Sequence, residues 1–225
     1  MTTGMTRSDP TVDQFAEFDP ATLHEAGGRI GAVDHAIKPV AAGARVAGRA
    51  FTARCHPGDN LAIHRAVAAA ESGDVLVVDA GGHVAGYWGE VLAVAAQARG
   101  IQALIIDGGV RDSVAQRRRG FPVWARGVSI LGTVKVTPGA IGEPITCGGV
   151  PVRTGDYVIA DDDGVVVIPH ERAAEVIEAA RQRVEKEADL MERLAAGELT
   201  LDLLKLRDVL QDGDPSSARP GCPRA

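Results

Sequence analysis

Residues 74–112 read DVLVVDAGGHVAGYWGEVLAVAAQARGIQALIIDGGVRD, and this stretch decides the fold. Residues 74–79 form a short apolar run rich in β-branched side chains, which predicts a buried strand ended by Gly81 and Gly82. Residues 90–99 have helical composition and stop at Gly100. Residues 103–106 predict a second buried strand, ended by Asp-Gly-Gly. The pattern is that of two consecutive strand-loop-helix units in an α/β fold.

A second helix is predicted after Asp112, which occupies its N-cap position, and Gly120 closes that helix. If the two strands are parallel neighbours, both loops emerge at the carboxyl ends of the strands, where ligands collect in α/β sheets. Glu90, Arg111 and Asp112 are distant in sequence, but we expect them to meet at this edge.

The start of the first helix offers an anion-binding surface. The N–H groups of Glu90, Val91 and Leu92 have no partner within the helix and lie at the positive end of its dipole. Gly86 and Gly89 permit the close approach of a ligand. We therefore predict that a small carboxylate binds here.

Arg111 and Asp112 add two further functions to this edge. Arg111 can hold a carboxylate or a developing oxyanion with its planar fork. Asp112 supplies a hard oxygen ligand, and one carboxylate with water is a typical Mg²⁺ environment. Together these groups predict a site for a small anionic oxo acid, with a metal that polarises its carbonyl. The structural alternatives are an ordinary N-cap for Asp112, a solvated Arg111 and a surface acid at Glu90.

Several motifs resemble the RraA-like family, which contains the regulator of ribonuclease activity A and two class II aldolases. Those enzymes act on 4-hydroxy-4-methyl-2-oxoglutarate and 4-carboxy-4-hydroxy-2-oxoadipate. The resemblance covers residues 22–206, and residues 193–199 favour the aldolase branch. It rests on residues 22–26 (TLHEA), 57–60 (PGDN), 86–90 (GYWGE), 106–112 (IDGGVRD), 120–124 (GFPVW), 132–135 (GTVK) and 161–167 (DDDGVVV).

This resemblance implies a fold, an assembly and residue roles. The fold is an αββα sandwich of the swivelling-domain type with C-terminal helices, assembled as a homotrimer or homohexamer with sites between subunits. Asp112 would bind the metal, Arg111 the pyruvoyl part of the substrate, and Glu90 would orient water at the metal. Glu25 and Glu198 are candidates that reach the site from a neighbouring subunit, with ordinary helix-surface acids as the alternative.

One residue departs from the aldolase pattern. The characterised aldolases of this family have Asp at the position of Glu90, and the additional methylene moves the carboxylate by roughly 1.5 Å. The motifs therefore support membership of the family more strongly than they support any particular substrate.

The resemblance implies an Mg²⁺- or Mn²⁺-dependent lyase that cleaves 4-hydroxy-2-oxo di- or tricarboxylic acids to pyruvate and an oxo acid. Oxaloacetate decarboxylation passes through the same enolate, so we expect it as a side activity. Two alternatives stay open. The chain could be a non-catalytic regulator that binds a ribonuclease or helicase, or a family enzyme that acts on another 2-oxo acid.

Composition excludes several classes of protein. The 24 basic and 30 acidic residues give a net charge of −6, which argues against nucleic-acid binding. The basic cluster at residues 117–119 is expected on the solvated face of a helix. The three cysteines are widely spaced, which predicts reduced thiols in a cytoplasmic protein. The sequence shows neither an apolar leader nor an apolar run of 18 residues, so we expect no secretion and no membrane span.

The domain organisation is predicted as an N-terminal extension at 1–18, an RraA-like domain at 19–208 and a flexible tail at 209–225. Residues 1–13 are expected to be frayed. Residues 171–194 predict a long amphipathic helix, and residues 199–210 a further short one. Residues 161–164 predict a hairpin turn. The six histidines share no metal-ligand spacing and are expected to be structural or solvated.

Overall fold

The structure, a computed structural model, describes residues 9–212. The strands are β1 (Lys38–Pro39), β2 (Val46–Arg54), β3 (Asp74–Asp79), β4 (Ala103–Val110), β5 (Val123–Val128), β6 (Ala140–Ile141), β7 (Ile145–Cys147), β8 (Val150–Val152), β9 (Tyr157–Ala160) and β10 (Val165–Ile168). The helices are α1 (Pro10–Phe15), α2 (Pro20–Ala26), α3 (Leu61–Ala69), α4 (Glu90–Ala98), α5 (Ser113–Arg119), α6 (Ala173–Ala195), α7 (Thr200–Leu203) and α8 (Leu206–Asp212), with a 3₁₀ turn at His170–Arg172.

The main sheet has the strand order β1-β5-β4-β3-β2-β9-β10, and β6 also pairs with β2. Strands β2 to β5 are parallel, and the predicted parallel pairing of β3 with β4 is confirmed. The last paired residues of β3 and β4 are Asp79 and Asp107. The loops after both strands therefore leave the same edge of the sheet.

Strand β4 is four residues longer than the predicted 103–106 segment, because it continues through Gly108 and Gly109 to Val110. The two glycines serve close packing and not a turn. A Cβ atom on Gly109 would lie 2.6 Å from the Ala85 carbonyl oxygen, and one on Gly108 would lie 2.8 Å from the Ala80 Cβ. A glycine inside a strand often marks such a close approach of backbone. The strand therefore passes directly beneath the loop that follows β3.

Alternation along the strands divides the interior into layers. Leu76 and Val78 of β3 pack with α3 and α4 on one face of the sheet. Val75 and Val77 face the other side, where they pack with β7, β8, β9 and β10. The outer face of β9 and β10 is covered by α1, α2 and the first part of α6. The result is a curled α/β fold with the predicted helix-sheet-sheet-helix layering, and the predicted fold class is confirmed.

The two ends of the described chain differ from expectation. Residues 10–13 belong to α1, which is capped by Asp9 and buries Phe15 completely, so the expected fraying is wrong for this part. Helix α8 covers residues 206–212, so it extends two residues beyond the short helix predicted at residues 199–210. Residues 1–8 and 213–225 lie outside the described residues. The boundaries of the RraA-like domain stay a prediction.

Two predicted local structures are confirmed. The hairpin turn at residues 161–164 joins the antiparallel strands β9 and β10, and the Asp161 N–H donates to the Gly164 carbonyl at 3.0 Å. The long amphipathic helix is α6, in which Ala173, Val176, Ile177 and Ala180 are buried. Val184, further along the same helix, is substantially exposed.

The chain divides into two compact units at Ala180 and Arg181. The second unit contains the remainder of α6, with α7 and α8 in place of the single short helix predicted there. Ion pairs form within this unit, such as that between Arg183 Nη2 and Glu187 Oε1 at 2.8 Å. Between residues 9 and 212, no helix combines the length and the apolar character needed to cross a bilayer.

Candidate functional site

The loop after β3 runs along the end of β4, so the two predicted motifs are in direct contact. Trp88 and Val110 form a parallel bridge, and the Arg111 N–H donates to the Trp88 carbonyl at 2.8 Å. The Tyr87 N–H donates to the Gly109 carbonyl at 3.2 Å. These bonds place the start of α4 beside the start of α5, as the sequence predicts.

Asp112 occupies the N-cap position of α5 but does not cap that helix. Its backbone is left-handed, with φ 56° and ψ 36°, and its side chain makes no capping hydrogen bond within α5. Instead, Oδ2 accepts the Glu90 N–H at 3.0 Å and so caps α4. The left-handed region costs most residues about 1–2 kcal/mol, and Asp is among the few that tolerate it. The ordinary N-cap interpretation is therefore wrong, and the backbone holds a half-exposed carboxylate between the two helices.

Gly89 is required at this corner for steric reasons. Its φ of −156° is open to any residue. A Cβ atom there, however, would lie 2.5 Å from Asp112 Oδ2 and 3.1 Å from both Cγ and Nε of Arg111. A Cβ atom on Gly86 would lie 3.0 Å from Arg111 Cδ. The two glycines therefore make room for the Arg111 and Asp112 side chains.

Arg111 is anchored by its backbone and carries a free fork. Its carbonyl accepts a hydrogen bond from the Gln116 side-chain amide. The Arg111 Nε lies 3.7 Å from Asp112 Oδ2, and about half of the side chain is exposed. Within residues 9–212, its guanidinium donates no hydrogen bond at normal geometry. The fork is therefore available to an anion that enters beside Asp112.

The backbone and the side chain of Glu90 make contacts that differ from those predicted. Its N–H is taken by Asp112, so this group is not free for a substrate. Its carboxylate forms an ion pair with Arg119, with Oε1 at 2.7 Å from Nη2 and 2.9 Å from Nε. The N–H groups of Val91 and Leu92 have no partner among residues 9–212. These two amides are the part of the predicted anion-binding surface that remains.

Arg117 and Arg118 are exposed, as expected for the solvated face of a helix. Arg119 is also exposed, but it makes the contact with Glu90 that was not predicted.

Tyr87 fixes the site loop to the loop after β2, a contact that the sequence did not indicate. The buried Tyr87 hydroxyl accepts the Gly58 N–H at 2.6 Å and lies 2.9 Å from His83 Nδ1. The Asn60 side-chain amide donates to the Tyr87 carbonyl at 2.8 Å. Because the hydroxyl accepts from Gly58, its own proton can be donated to a neutral His83. Burial raises the pKa of the Tyr87 hydroxyl, so it stays protonated as this arrangement requires.

Asp59 organises a third loop at the same edge. Its carboxylate accepts the N–H groups of Leu61 at 2.9 Å, Val136 at 2.8 Å and Thr137 at 2.6 Å. Burial alone would raise the pKa of this carboxyl, but the hydrogen bonds to the charged form outweigh it and lower the pKa to about 2. Asp59 was recognised only as part of the PGDN motif, because its distant partners cannot be identified from spacing.

We expect the stability that Asp59 contributes to be lost in acid. Its folded-state pKa lies below the unfolded value, so the contribution is complete above about pH 4 and disappears as the pH falls towards about 2. Asp59→Asn should therefore be less stable than the wild type at neutral pH, and the gap should narrow as the pH falls. Urea unfolding of both proteins at neutral pH and near pH 2.5 measures this. A constant gap would contradict the assignment.

A partly buried ion network near this edge joins β4 and β5 to the loops that contain Asp34 and Gly148. Arg126 of β5 donates a hydrogen bond to the carboxylate of Asp107, and its Nη1 lies 2.9 Å from Asp34 Oδ2. The Gly148 N–H donates to Asp107 Oδ2 at 2.9 Å. The hydrogen bond to Asp107 raises the pKa of the Arg126 guanidinium well above its usual value. The sequence indicated Asp107 only as the end of a strand, and nothing in it singled out Arg126.

Among residues 9–212, one group of three metal-ligating side chains has ligand atoms within 4.8 Å of one another, and it comprises Asp156, His170 and Glu171. The carboxylate oxygens of buried Asp156 already accept the N–H groups of Arg153 and His170, at 2.8 and 3.1 Å. Glu171 Oε2 lies 3.1 Å from His170 Nδ1. The group is therefore a possible cation ligand set, but its buried member already stabilises the turns around it.

Glu25 and Glu198 are each held within the chain. Glu25 forms an ion pair with Arg29 at 3.0 Å. Glu198 accepts two hydrogen bonds from Arg193, at 2.8 and 2.9 Å, and these bonds lower the pKa of its carboxyl. A role at a neighbouring subunit's site stays a prediction for both residues.

A family profile and a sequence relative both match most of this chain. The profile of the RraA-like family, described as Aldolase/RraA, matches residues 11–167. A protein of Halalkalibacterium halodurans named "Putative 4-hydroxy-4-methyl-2-oxoglutarate aldolase" is 35% identical over 173 residues, which are 76% of this chain and 82% of that protein.

Solved structures agree with the sequence relatives. An uncharacterised protein from Pseudomonas syringae superposes with a TM-score of 0.78 at 27% identity, over 92% of this chain and 98% of the other. Streptomyces coelicolor RraAS2, described as "an unusual member of the RNase ES inhibitor RraA protein family", gives a TM-score of 0.75 at 30% identity, over 83% of this chain and all of the other. The chain belongs to the RraA-like family.

Proposed function

We propose that this protein is a divalent-metal-dependent lyase that releases pyruvate from 4-hydroxy-2-oxo di- or tricarboxylic acids. 4-Hydroxy-4-methyl-2-oxoglutarate and 4-carboxy-4-hydroxy-2-oxoadipate are the substrates of first choice, with oxaloacetate decarboxylation as a side activity. The observation that carries the proposal is the corner at Gly89, where Asp112 and the free fork of Arg111 lie side by side. The name of the Halalkalibacterium relative supports the same chemistry.

The residues at this corner fit Mg²⁺ or Mn²⁺. Asp112 Oδ2 is engaged by the Glu90 N–H, while Oδ1 makes no hydrogen bond to the described part of the chain. One carboxylate oxygen in a half-exposed position suits a hard cation that keeps most of its water. A cation bound there would act as a Lewis acid on the carbonyl of an oxo acid. Asp112 is the residue that would hold it.

The side chains around Asp112 account for the remaining steps. Arg111 binds the pyruvoyl end of the substrate and stabilises the enolate oxygen as charge develops on it. The N–H groups of Val91 and Leu92 can bind a substrate carboxylate. Loss of the proton from the C4 hydroxyl breaks the C3–C4 bond and leaves pyruvate enolate, which then takes up a proton at C3. The Glu90 carboxylate is the group at this edge that can hold a water, which would accept the proton of the C4 hydroxyl and deliver a proton to C3.

Pyruvate release, coupled to lactate dehydrogenase, tests the proposal directly. Each oxo acid is supplied to untreated protein, to chelator-treated protein and to protein resupplied with Mg²⁺ or Mn²⁺. We expect the chelator to stop the release and the metal to restore it. Rates on hydroxy-oxo diacids compared with oxaloacetate separate an aldolase from a family enzyme with another 2-oxo acid substrate. Absence of metal-dependent release from every substrate would refute the proposal.

Substitution of Arg111 should remove a contact made mainly in the transition state. We expect Arg111→Ala to lower kcat and kcat/KM together, by about 100-fold, because the fork binds the developing enolate more tightly than the ground-state carbonyl. Arg111→Lys should restore little, since a point charge cannot reproduce the bidentate geometry. Steady-state kinetics on one substrate measure both variants. A rise in KM alone would make Arg111 a substrate anchor only.

The second candidate function is a non-catalytic regulator that binds a ribonuclease or helicase. The similarity to RraAS2, which is described as a member of an RNase ES inhibitor family, favours it. Such a protein should associate with its partner in the presence of chelator and should release no pyruvate. The chelator experiment therefore distinguishes the two functions.

We further propose that the chain assembles as a homotrimer or homohexamer in the cytoplasm. The segment at residues 128–136, next to Gly86, exposes five large apolar side chains, and Ile130 is 95% exposed. Contiguous exposed apolar residues mark interaction surfaces. A second copy on this segment would cover it and would close the site beside Asp112, with Glu25 or Glu198 of a neighbour as added acids. Light scattering of the purified protein measures the mass.

A further inference from the structure

Helix α5 ends with Arg117, Arg118 and Arg119, and these three neighbouring cations differ in what they contact. Arg119 Nη2 and Nε lie 2.7 and 2.9 Å from a single oxygen of Glu90, Oε1. Arg117 and Arg118 form no ion pair with any residue between 9 and 212. The backbone of Arg119 is also fixed, because its carbonyl accepts the Gln97 side-chain amide at 3.3 Å. The end of α5 is thus connected to both ends of α4.

This contact binds the Glu90 carboxylate to the cation at the C-terminal end of α5. Asp112 precedes α5 and Arg119 ends it, and seven helical residues separate their backbones by roughly 10 Å. The Glu90 main chain touches Asp112, while its carboxylate is bound to the cation from the far end of the helix. The backbone of Glu90 is therefore held at the Asp112 corner, while its carboxylate is engaged by Arg119.

We propose that Arg119 is a positioning residue that sets how much of the time the Glu90 carboxylate is available beside Asp112. The inference rests on the proposed function. In it, retro-aldol cleavage needs Glu90 for proton transfer from the C4 hydroxyl, whereas oxaloacetate decarboxylation has no hydroxyl to deprotonate. Arg119 then limits the first reaction more than the second.

The length of the Glu90 side chain makes the contact with Arg119 possible. Glu90→Asp shortens the side chain by one methylene, roughly 1.5 Å, so the bonds to Arg119 cannot both be kept in their present geometry. Glu90→Asp and Arg119→Ala should therefore have a shared cause. Each should raise the ratio of aldolase to decarboxylase turnover, and the second substitution should add nothing to the first.

The size of the effect follows from the exposure of the pair. The Arg119 and Glu90 side chains are 38% and 42% exposed. Exposed ion pairs hold a side chain only weakly, so Arg119→Ala should change the ratio by about 2- to 5-fold. Arg119→Lys keeps a cation at the end of α5 and should stay close to the wild type. Arg118→Ala is the matched control, because it removes the same charge from the same helix end without touching Glu90.

The kinetic test measures kcat and KM for a hydroxy-oxo diacid and for oxaloacetate. It uses the wild type, Arg118→Ala, Arg119→Ala, Arg119→Lys, Glu90→Asp and the Glu90→Asp/Arg119→Ala double variant. The expected change is in kcat for the diacid, with KM unaltered. Thermal unfolding checks that all variants are folded.

A binding test does not depend on turnover. Mn²⁺ is titrated into each protein without substrate, and free Mn²⁺ is followed by electron paramagnetic resonance. A released Glu90 carboxylate adds negative charge beside Asp112, so Arg119→Ala should bind Mn²⁺ about 2- to 5-fold more tightly. Arg118→Ala and Arg119→Lys should bind it as the wild type does.

The outcomes are distinguishable. Equal behaviour of Arg119→Ala and Arg118→Ala in both tests overturns the inference, even if the wild type is an active aldolase. Additive effects of Glu90→Asp and Arg119→Ala on the ratio overturn it as well. If no variant releases pyruvate, the proposed function fails, and the Mn²⁺ titration alone decides whether Arg119 controls the position of Glu90.

Discussion

Asp112→Gly should abolish metal-dependent pyruvate release, with a loss of at least about 100-fold that added Mg²⁺ or Mn²⁺ does not reverse. The variant removes the carboxylate that lies beside Arg111. Glycine is preferable to alanine here, because the backbone at this position has φ 56° and glycine adopts it without strain. A loss of activity can then be attributed to the carboxylate. The rate is measured in the coupled assay across a range of metal concentrations.

Two controls define what the loss means. Asp112→Asn keeps a side-chain oxygen that can accept the Glu90 N–H, so the cap on α4 is retained while the charge is removed. We expect it to be folded and nearly as inactive as the glycine variant. His170→Ala disrupts the group of three metal-ligating side chains at Asp156, His170 and Glu171 and should keep full activity. Loss of metal-dependent activity in His170→Ala, with full activity in Asp112→Gly, would place the metal site at that group instead.

Gly89→Ala should cost about 100-fold in activity while the protein stays folded. The substitution introduces a single methyl group, and the backbone there, at φ −156°, accepts it. The methyl carbon would lie 2.5 Å from Asp112 Oδ2 and 3.1 Å from Arg111 Nε, so both functional side chains must move. A displacement of about 1 Å at a reacting centre is enough for a loss of this size.

Gly164→Ala provides the matched control for this substitution. Gly164 lies in the hairpin between β9 and β10, and a Cβ atom there would meet nothing within 4 Å. It also has no positive φ, so the same change is free of strain. We expect the Gly164→Ala variant to retain wild-type activity. Comparable activity in the Gly89 and Gly164 variants would show that the corner is not the reacting site.

The sequence predicted the parts of the fold that depend on local pattern. The apolar run of β3 and the helical composition of α4 are confirmed at almost the predicted bounds. Strand β4 was predicted too short, because Gly108-Gly109 usually indicates a turn, whereas here Gly108 makes room for Ala80 and Gly109 for the backbone of Ala85. The extra length of β4 therefore depends on a tertiary contact. The sequence pattern of a single segment does not reveal such a contact.

The sequence predicted where the site lies, but it did not predict most of the hydrogen bonds and ion pairs within it. The carboxyl ends of parallel strands bring the start of α4 to Asp112, as expected from topology alone. The hydrogen bond from Glu90 to Asp112 and the ion pair from Glu90 to Arg119 depend on a left-handed residue and on the length of α5. The contacts of Tyr87 and Asp59 join loops far apart in sequence, so spacing carries no sign of them.

The bridge between Trp88 and Val110 also bears on how insertions and deletions should be tolerated. The twenty residues between Glu90 and Arg111 are α4, a return loop at the opposite edge, and β4. A one-residue insertion within β4 would reverse the side to which every later side chain of the strand points, and would carry Asp112 away from α4. An extra residue in the return loop, at residues 99–102, would leave both contacting ends in register. Length variation between Glu90 and Arg111 should therefore be confined to that loop, while the length of β4 beneath the site stays constant.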